Sequence, residues 1–395
     1  MAKAIGGEQS LRRDSSFTPS LRSVWMLRLI VGIGIVLGGA ISLIGTSWDI
    51  QWHIFVGRDR TLIPPHEMML TGITIGGLLA LISVVLETLW VKRNAQLEQY
   101  STNFAGLFSS SLGAYVAGFA ALNAAIAFPL DSYWHALYGI DVAIWAPFHV
   151  MILSGMAIMP LGGAYILASS GQLARITGDE RGARISRIAT LIALATMLSV
   201  FTLMLSDALD QDNTFYLTEG FGISVFPLLA GLLTAYTFVA ARYAVPYRAA
   251  ASYVLIAYIV FALLFSAFVP TATHTLVASE GLHYRKQLSQ FAYLSIVAVR
   301  FWPLLPIIIA PLLDVCFSWA KRQNWSERRQ TISFALIALL SFFPVFALEP
   351  TFGLEWIGEI GIAGLLISPM LGFAGTYLGT RLGQYTGKIM SQEER

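Results

Sequence analysis

Charge is what this sequence has least of. Asp, Glu, Lys and Arg make up 12% of its 395 residues, where a soluble domain carries about 25%. So few charges cannot clothe a water-soluble protein of this length. Cysteine is nearly absent: Cys316 stands alone, which excludes an internal disulfide and any multi-cysteine metal site. Histidine is limited to six residues. Heptad repeats, low-complexity tracts and glycine-rich phosphate loops do not occur. Nucleic acid is not among the expected partners.

What is abundant is apolar sequence: 56% of the residues are hydrophobic. They fall in runs of about 20, enough for a helix to cross roughly 30 Å of hydrocarbon. Lipid cannot hydrogen-bond backbone amides, so a crossing segment is a helix or a strand of a closed barrel. The runs lack the period-two alternation of barrel strands. The sequence therefore predicts an all-α, polytopic transmembrane helix bundle that contacts the lipid bilayer. Ten spans are expected, at 24–47, 68–91, 105–128, 147–169, 187–206, 221–241, 250–269, 297–319, 330–348 and 358–380. Arg300 and the prolines Pro303, Pro306 and Pro311 interrupt the eighth. A charge near mid-bilayer costs about 2.5–3.5 kcal/mol, so Arg300 is expected to face protein or water, or to mark the start of the helix.

Basic residues orient the bundle. With a cytoplasmic N-terminus, the alternate loops and adjoining helix turns of that side collect 20 of the 25 Lys and Arg residues. Such residues accumulate in cytoplasmic loops, which puts both termini inside. The chain divides into a polar N-terminal tail (1–23), a four-span module (24–169), a cytoplasmic linker (170–186) and a six-span module (187–395). The tail is followed by no cleavage signature, so the first apolar run is expected to be a retained helix. A cell-membrane, multi-pass protein is the expected localisation. Gly-x-x-x-Gly spacings such as Gly34/Gly38 read as close helix packing.

Two outer loops repeat one another. The first reads Trp48-Asp49-Ile50-Gln51-Trp52-His53, then Gly57-Arg58-Asp59, then Pro64-Pro65-His66. The second reads Leu130-Asp131-Ser132-Tyr133-Trp134-His135, then Gly139-Ile140-Asp141, then Pro147-Phe148-His149. An Asp and a His four apart share one face of a helix. The closing His follows a proline, where a helix is expected to begin. If the preceding helix runs on through the motif, Asp49, His53 and His66 converge, and so do Asp131, His135 and His149. Two imidazoles and a carboxylate form a site with open coordination positions, suited to zinc, copper, iron or nickel. On this topology all six histidines lie on the non-cytoplasmic side, four of them in the repeats.

The remaining polar residues carry less. Asp59 and Asp141 fit three roles: orienting a ligand imidazole, relaying protons or capping a turn. Arg58 fits an ion pair with Asp59. Trp48, Trp52, Trp134 and Trp145 read as interfacial belt and walls. His274, Glu280 and His283 share no ligand spacing and read as a polar loop. Asp207, Asp210, Asp212 and Glu219 read as a solvated acidic face. Glu87 and Asp314 are expected to snorkel, or to pair with nearby Lys92, Arg93 or Lys321.

Residues 45–155 resemble one membrane subunit of the copper membrane monooxygenases, the particulate methane and ammonia monooxygenase family. That subunit carries an Asp-x3-His-x12-His copper site in a stretch close to Asp-x-x-Trp-His, Val-Arg-Asp, Pro-x-His. Asp49, Trp52, His53, Arg58, Asp59, Pro64 and His66 occupy the matching positions, with Gly57 in place of Val. A second family cluster reads Asn-x3-His-x13-His; Asp131, His135 and His149 keep its spacing, with Asp for Asn. The resemblance implies copper as the cofactor, dioxygen chemistry on a small apolar substrate, further membrane subunits and a cupredoxin-like partner. It does not reach the C-terminal half. The residues alone leave zinc and non-haem iron open. They also leave open a metal transporter or delivery protein, or a subunit with purely structural metal sites.

Overall fold

The computed structural model describes residues 18–57, 62–139, 145–210, 214–218, 221–285, 304–340 and 350–392. Its helices are α1 (Leu21–Phe55), α2 (Pro64–Arg93), α3 (Leu112–Tyr138), α4 (Pro147–Ile176), α5 (Glu180–Asp210), α6 (Phe226–Ala244), α7 (Ala250–Ser279), α8 (Leu304–Arg322), α9 (Glu327–Leu339) and α10 (Pro350–Gln392), the last broken at Gly361. Two small hairpins interrupt the helices: β1 (Thr102–Phe104) with β2 (Phe108–Ser110), and β3 (Thr214–Thr218) with β4 (Phe221–Ser224).

Among the described residues, eight helices are long and apolar enough to cross a membrane. The chain is thus a helical, multi-pass membrane protein. The two expected spans outside that set fall on α8 and α9, which adjoin residues that are not described; Arg300 is among those. The third span starts later than its apolar run suggests. Asn103 Oδ1 accepts from the Gly106 amide, and Ala105 and Gly106 turn through positive φ. The Ser111 side chain then accepts from the Ala114 amide and opens α3, as an N-cap does.

Small residues set the helix spacing. At the crossing of α1 and α2, a Cβ on Gly38 would sit 2.7 Å from the Gly72 carbonyl. Removing both side chains lets two backbones touch, the usual route to tight packing in lipid. Gly375, Gly379, Gly383 and Gly387 of α10 lie against the carbonyls of Leu228, Leu232, Tyr236 and Ala240 of α6. Both series ascend together, so these helices are parallel. Most of each candidate span in α4, α5 and α6 is buried, so these three helices form the middle of the bundle.

Two ion pairs brace the bundle away from the repeats, and both differ from expectation. Glu87 of α2 pairs with Arg28 of α1 at 2.5 Å, each 1% exposed. Arg28 also donates to Ser169 and to the Tyr100 carbonyl, and Glu87 accepts from Ser83. Asp314 of α8 pairs with Arg242 of α6 at 3.3 Å and accepts from the amides of Ala251 and Ser252, opening α7. Neither carboxylate snorkels to Lys92, Arg93 or Lys321. Antiparallel and neighbouring helices bring closer, better-shielded guanidiniums, and a buried charge requires such a partner.

Candidate metal centres

The helices continue through both motifs, which settles the local geometry. Helix α1 ends at Phe55, so Asp49 and His53 sit one turn apart in its last turns. Helix α2 starts at Pro64, placing His66 in its first turn. The second copy repeats this with the ends of α3 and α4. Proline suits each start because its missing N–H would have no partner there.

The side chains converge. Asp49 Oδ1 lies 3.5 Å from His53 Nε2 and 3.0 Å from His66 Nε2. Asp131 Oδ2 lies 3.3 Å from His135 Nε2, and Asp131 Oδ1 lies 3.3 Å from His149 Nε2. In each cluster one ligand atom per residue falls within 4.8 Å of the other two. Ligands about 2.0–2.2 Å from one ion lie about 3.0–3.5 Å apart around it, which matches the observed edges. All six groups are partly buried, between 13% and 23% exposed.

The polar inventory points the same way. Among the described residues, Asp49 Oδ1 and Asp131 Oδ1 are buried without hydrogen-bond partners, although imidazole nitrogens face them. A buried acceptor left so is costly, and a cation at the shared spot would satisfy it. His135 Nδ1 contacts the Gly139 carbonyl at 3.1 Å. With its proton on Nδ1, the ring turns Nε2 toward Asp131, the kind of support that ligating histidines receive. The donor set thus fits a divalent or redox-active metal.

The clusters are neighbours. The His66 ring meets the Phe128 ring edge-on at 5.5 Å, and Phe128 lies three residues before Asp131 on α3.

Other expected residues are placed as follows. Arg58, Asp59 and Asp141 lie outside the described residues, as do the side chains of Asp207, Asp210, Asp212 and Glu219. His274, Glu280 and His283 are exposed and join neither cluster. Trp52 is not a belt residue: it is 1% exposed, packed with Val56, Ile63 and Val277. The end of α7 covers it, a tertiary contact with no local signal. Trp48 packs edge-on against Phe268 of α7 at 6.0 Å, and Trp134 against Tyr138 and Phe148. Sequence reasoning did not anticipate the buried Gln51, whose side-chain carbonyl accepts from Thr273 at 2.7 Å. An amide side chain at the end of an apolar run was the available signal.

No known protein family, curated protein or solved structure matches this chain.

Proposed function

We propose that the chain is a copper-binding membrane oxidoreductase, or one subunit of it, acting on a small apolar substrate with dioxygen. The observation that carries this reading is the duplicated convergence: the same Asp, His and His, with an identical Asp-to-His step and a closing His one residue further on in the second copy, facing one another twice in one bundle. A chance cluster at a membrane surface has no reason to recur with its spacing. Asp49, His53 and His66 hold one ion; Asp131, His135 and His149 hold the other. Copper, the choice favoured by the resemblance to the membrane monooxygenases, would supply redox chemistry and open coordination positions. The protein's part is to hold the imidazoles and carboxylates toward the ion. It also lines the approach with apolar rings such as Trp48, Phe128 and Phe268. The electrons come from outside the chain, for which a cupredoxin-like subunit is the proposed partner.

The proposed topology has ten crossings, both termini cytoplasmic and the metal sites outside. Thr273 near the end of α7 touches the first repeat. Glu327 at the start of α9 pairs with Arg381 and Lys388 near the far end of α10, and Gln330 bonds Tyr243 at the far end of α6. These contacts support the end of α8 and the start of α9 lying on the same side as the far ends of α6 and α10. The basic residues Lys321, Arg322, Arg328 and Arg329 then fall inside, as the positive-inside rule asks.

A metal carrier would need further ligands deeper in the bundle. Among the described residues no third group of His, Cys, Asp or Glu converges, and Glu87 and Asp314 are already committed to ion pairs.

The test is metal analysis with electron paramagnetic resonance on purified protein. Wild type is expected to hold two copper ions per chain; His53→Ala and His135→Ala are each expected to lose one. Wild type without bound metal after copper loading would remove the reading. Zinc or iron in place of copper would keep the sites and remove the copper chemistry.

A further inference from the structure

The two clusters share a motif but not a support. The repeats align residue for residue: Gln51 with Tyr133, Phe55 with Leu137, Val56 with Tyr138, and Gly57 with Gly139. In the first copy, chain from far downstream covers these positions. The Gln51 amide is buried and bonded to Thr273 of α7, 222 residues away. The backbone N–H of Arg285 donates to the Phe55 carbonyl at 2.7 Å. That carbonyl is one of the acceptors a helix end leaves without an intrahelical partner. The Arg285 side chain then lies over Gly57, which has φ 68° and where a Cβ would collide with the guanidinium.

Among the described residues nothing comparable reaches the second copy. Tyr133, Leu137 and Tyr138 are 63%, 57% and 70% exposed. A Cβ on Gly139 would meet nothing within 4 Å. That helix end closes on itself instead. The Gly139 N–H donates to the His135 carbonyl at 3.0 Å, and the Gly139 carbonyl contacts the His135 ring. His53, by contrast, has a buried Nδ1 with no hydrogen-bond partner among the described residues. Its ring orientation depends on where the last turn of α1 is held.

We propose that Thr273 is a positioning residue for the first metal site, acting through Gln51, while the second site supports itself. This rests on the metal-binding reading above. The docked end of α7 and the 280–285 segment hold the last turn of α1 so that Asp49 and His53 face His66. The first site is therefore complete only when the C-terminal module is docked.

The test uses full-length protein with one site removed at a time. Thr273→Val leaves the Gln51 amide buried without its partner, whereas Gln51→Leu with Thr273→Val removes both partners together, the less costly change. In a His135→Ala background, which keeps the first site, Thr273→Val is expected to weaken copper binding about tenfold, from the usual cost of an unpaired buried polar group. The double change is expected to restore most of that loss. In a His53→Ala background, which keeps the second site, Thr273→Val is expected to leave copper affinity unchanged. Equal effects in the two backgrounds, or none in the first, would overturn the proposal. Hydrogen exchange on metal-free protein gives an arm independent of copper. Thr273→Val should speed exchange at residues 49–57 and not at 131–139; unchanged exchange at 49–57 overturns the positioning role. If wild type bound no metal, the functional reading would fall and this arm would still decide whether α7 holds the α1 end.

Discussion

Removing the Glu87 carboxylate should be among the most damaging single changes in this protein. Arg28 places three nitrogen-to-oxygen contacts on Glu87, at 2.5, 3.2 and 3.3 Å. Among the described residues its other partners are Ser169 and the Tyr100 carbonyl. Both charged side chains are 1% exposed, so water cannot take over the guanidinium. Glu87→Ala therefore strands a buried positive charge, at a cost of about 3–5 kcal/mol. Replacing both members, Arg28→Met with Glu87→Met, removes the stranded charge and should cost far less or stabilise. The assay is reversible unfolding in mixed detergent micelles, following helix content. The pair joins α1 to α2 at the end opposite the metal clusters, so copper stoichiometry of the surviving folded protein should not change. Equal destabilisation by the single and double changes would refute the reasoning, because the loss would then reflect packing and not an uncompensated charge.

Two further outcomes follow from the same structure. Gly379→Leu should separate α10 from α6, because a Cβ there runs into the Leu232 carbonyl. The expected loss is at least the 1–3 kcal/mol or so of ordinary overpacking, read from the same unfolding curve, and wild-type stability would count against the parallel packing. In a Cys316→Ser background, a single cysteine at Ser326 should react with a membrane-impermeant maleimide only after the membrane is opened. Labelling of intact cells would refute the crossing of α8 and α9.

Much of the candidate site was legible because its geometry is local. Asp49 and His53, or Asp131 and His135, need only one helical turn to share a face. The prolines before His66 and His149 mark where the return helices begin. The glycine that follows each first His by four residues was also visible. Its purpose was not: Gly139 takes φ 87° and offers its carbonyl to His135, while Gly57 makes room for Arg285. The same letter does two jobs because the surroundings differ.

The sequence by itself determined that the chain lives in lipid as helices, since its apolar runs are long, its charges scarce and the period-two alternation of barrel strands missing. It also determined which carboxylates and imidazoles belong together, since one helical turn and one short return fix them. Only the tertiary structure decided the partners of long range: Glu87 with Arg28, Asp314 with Arg242, and Gln51 with Thr273. Those pairings depend on which helices lie side by side and at what height. That arrangement is set by close contacts of small residues summed over the whole bundle, and no local stretch of sequence encodes it.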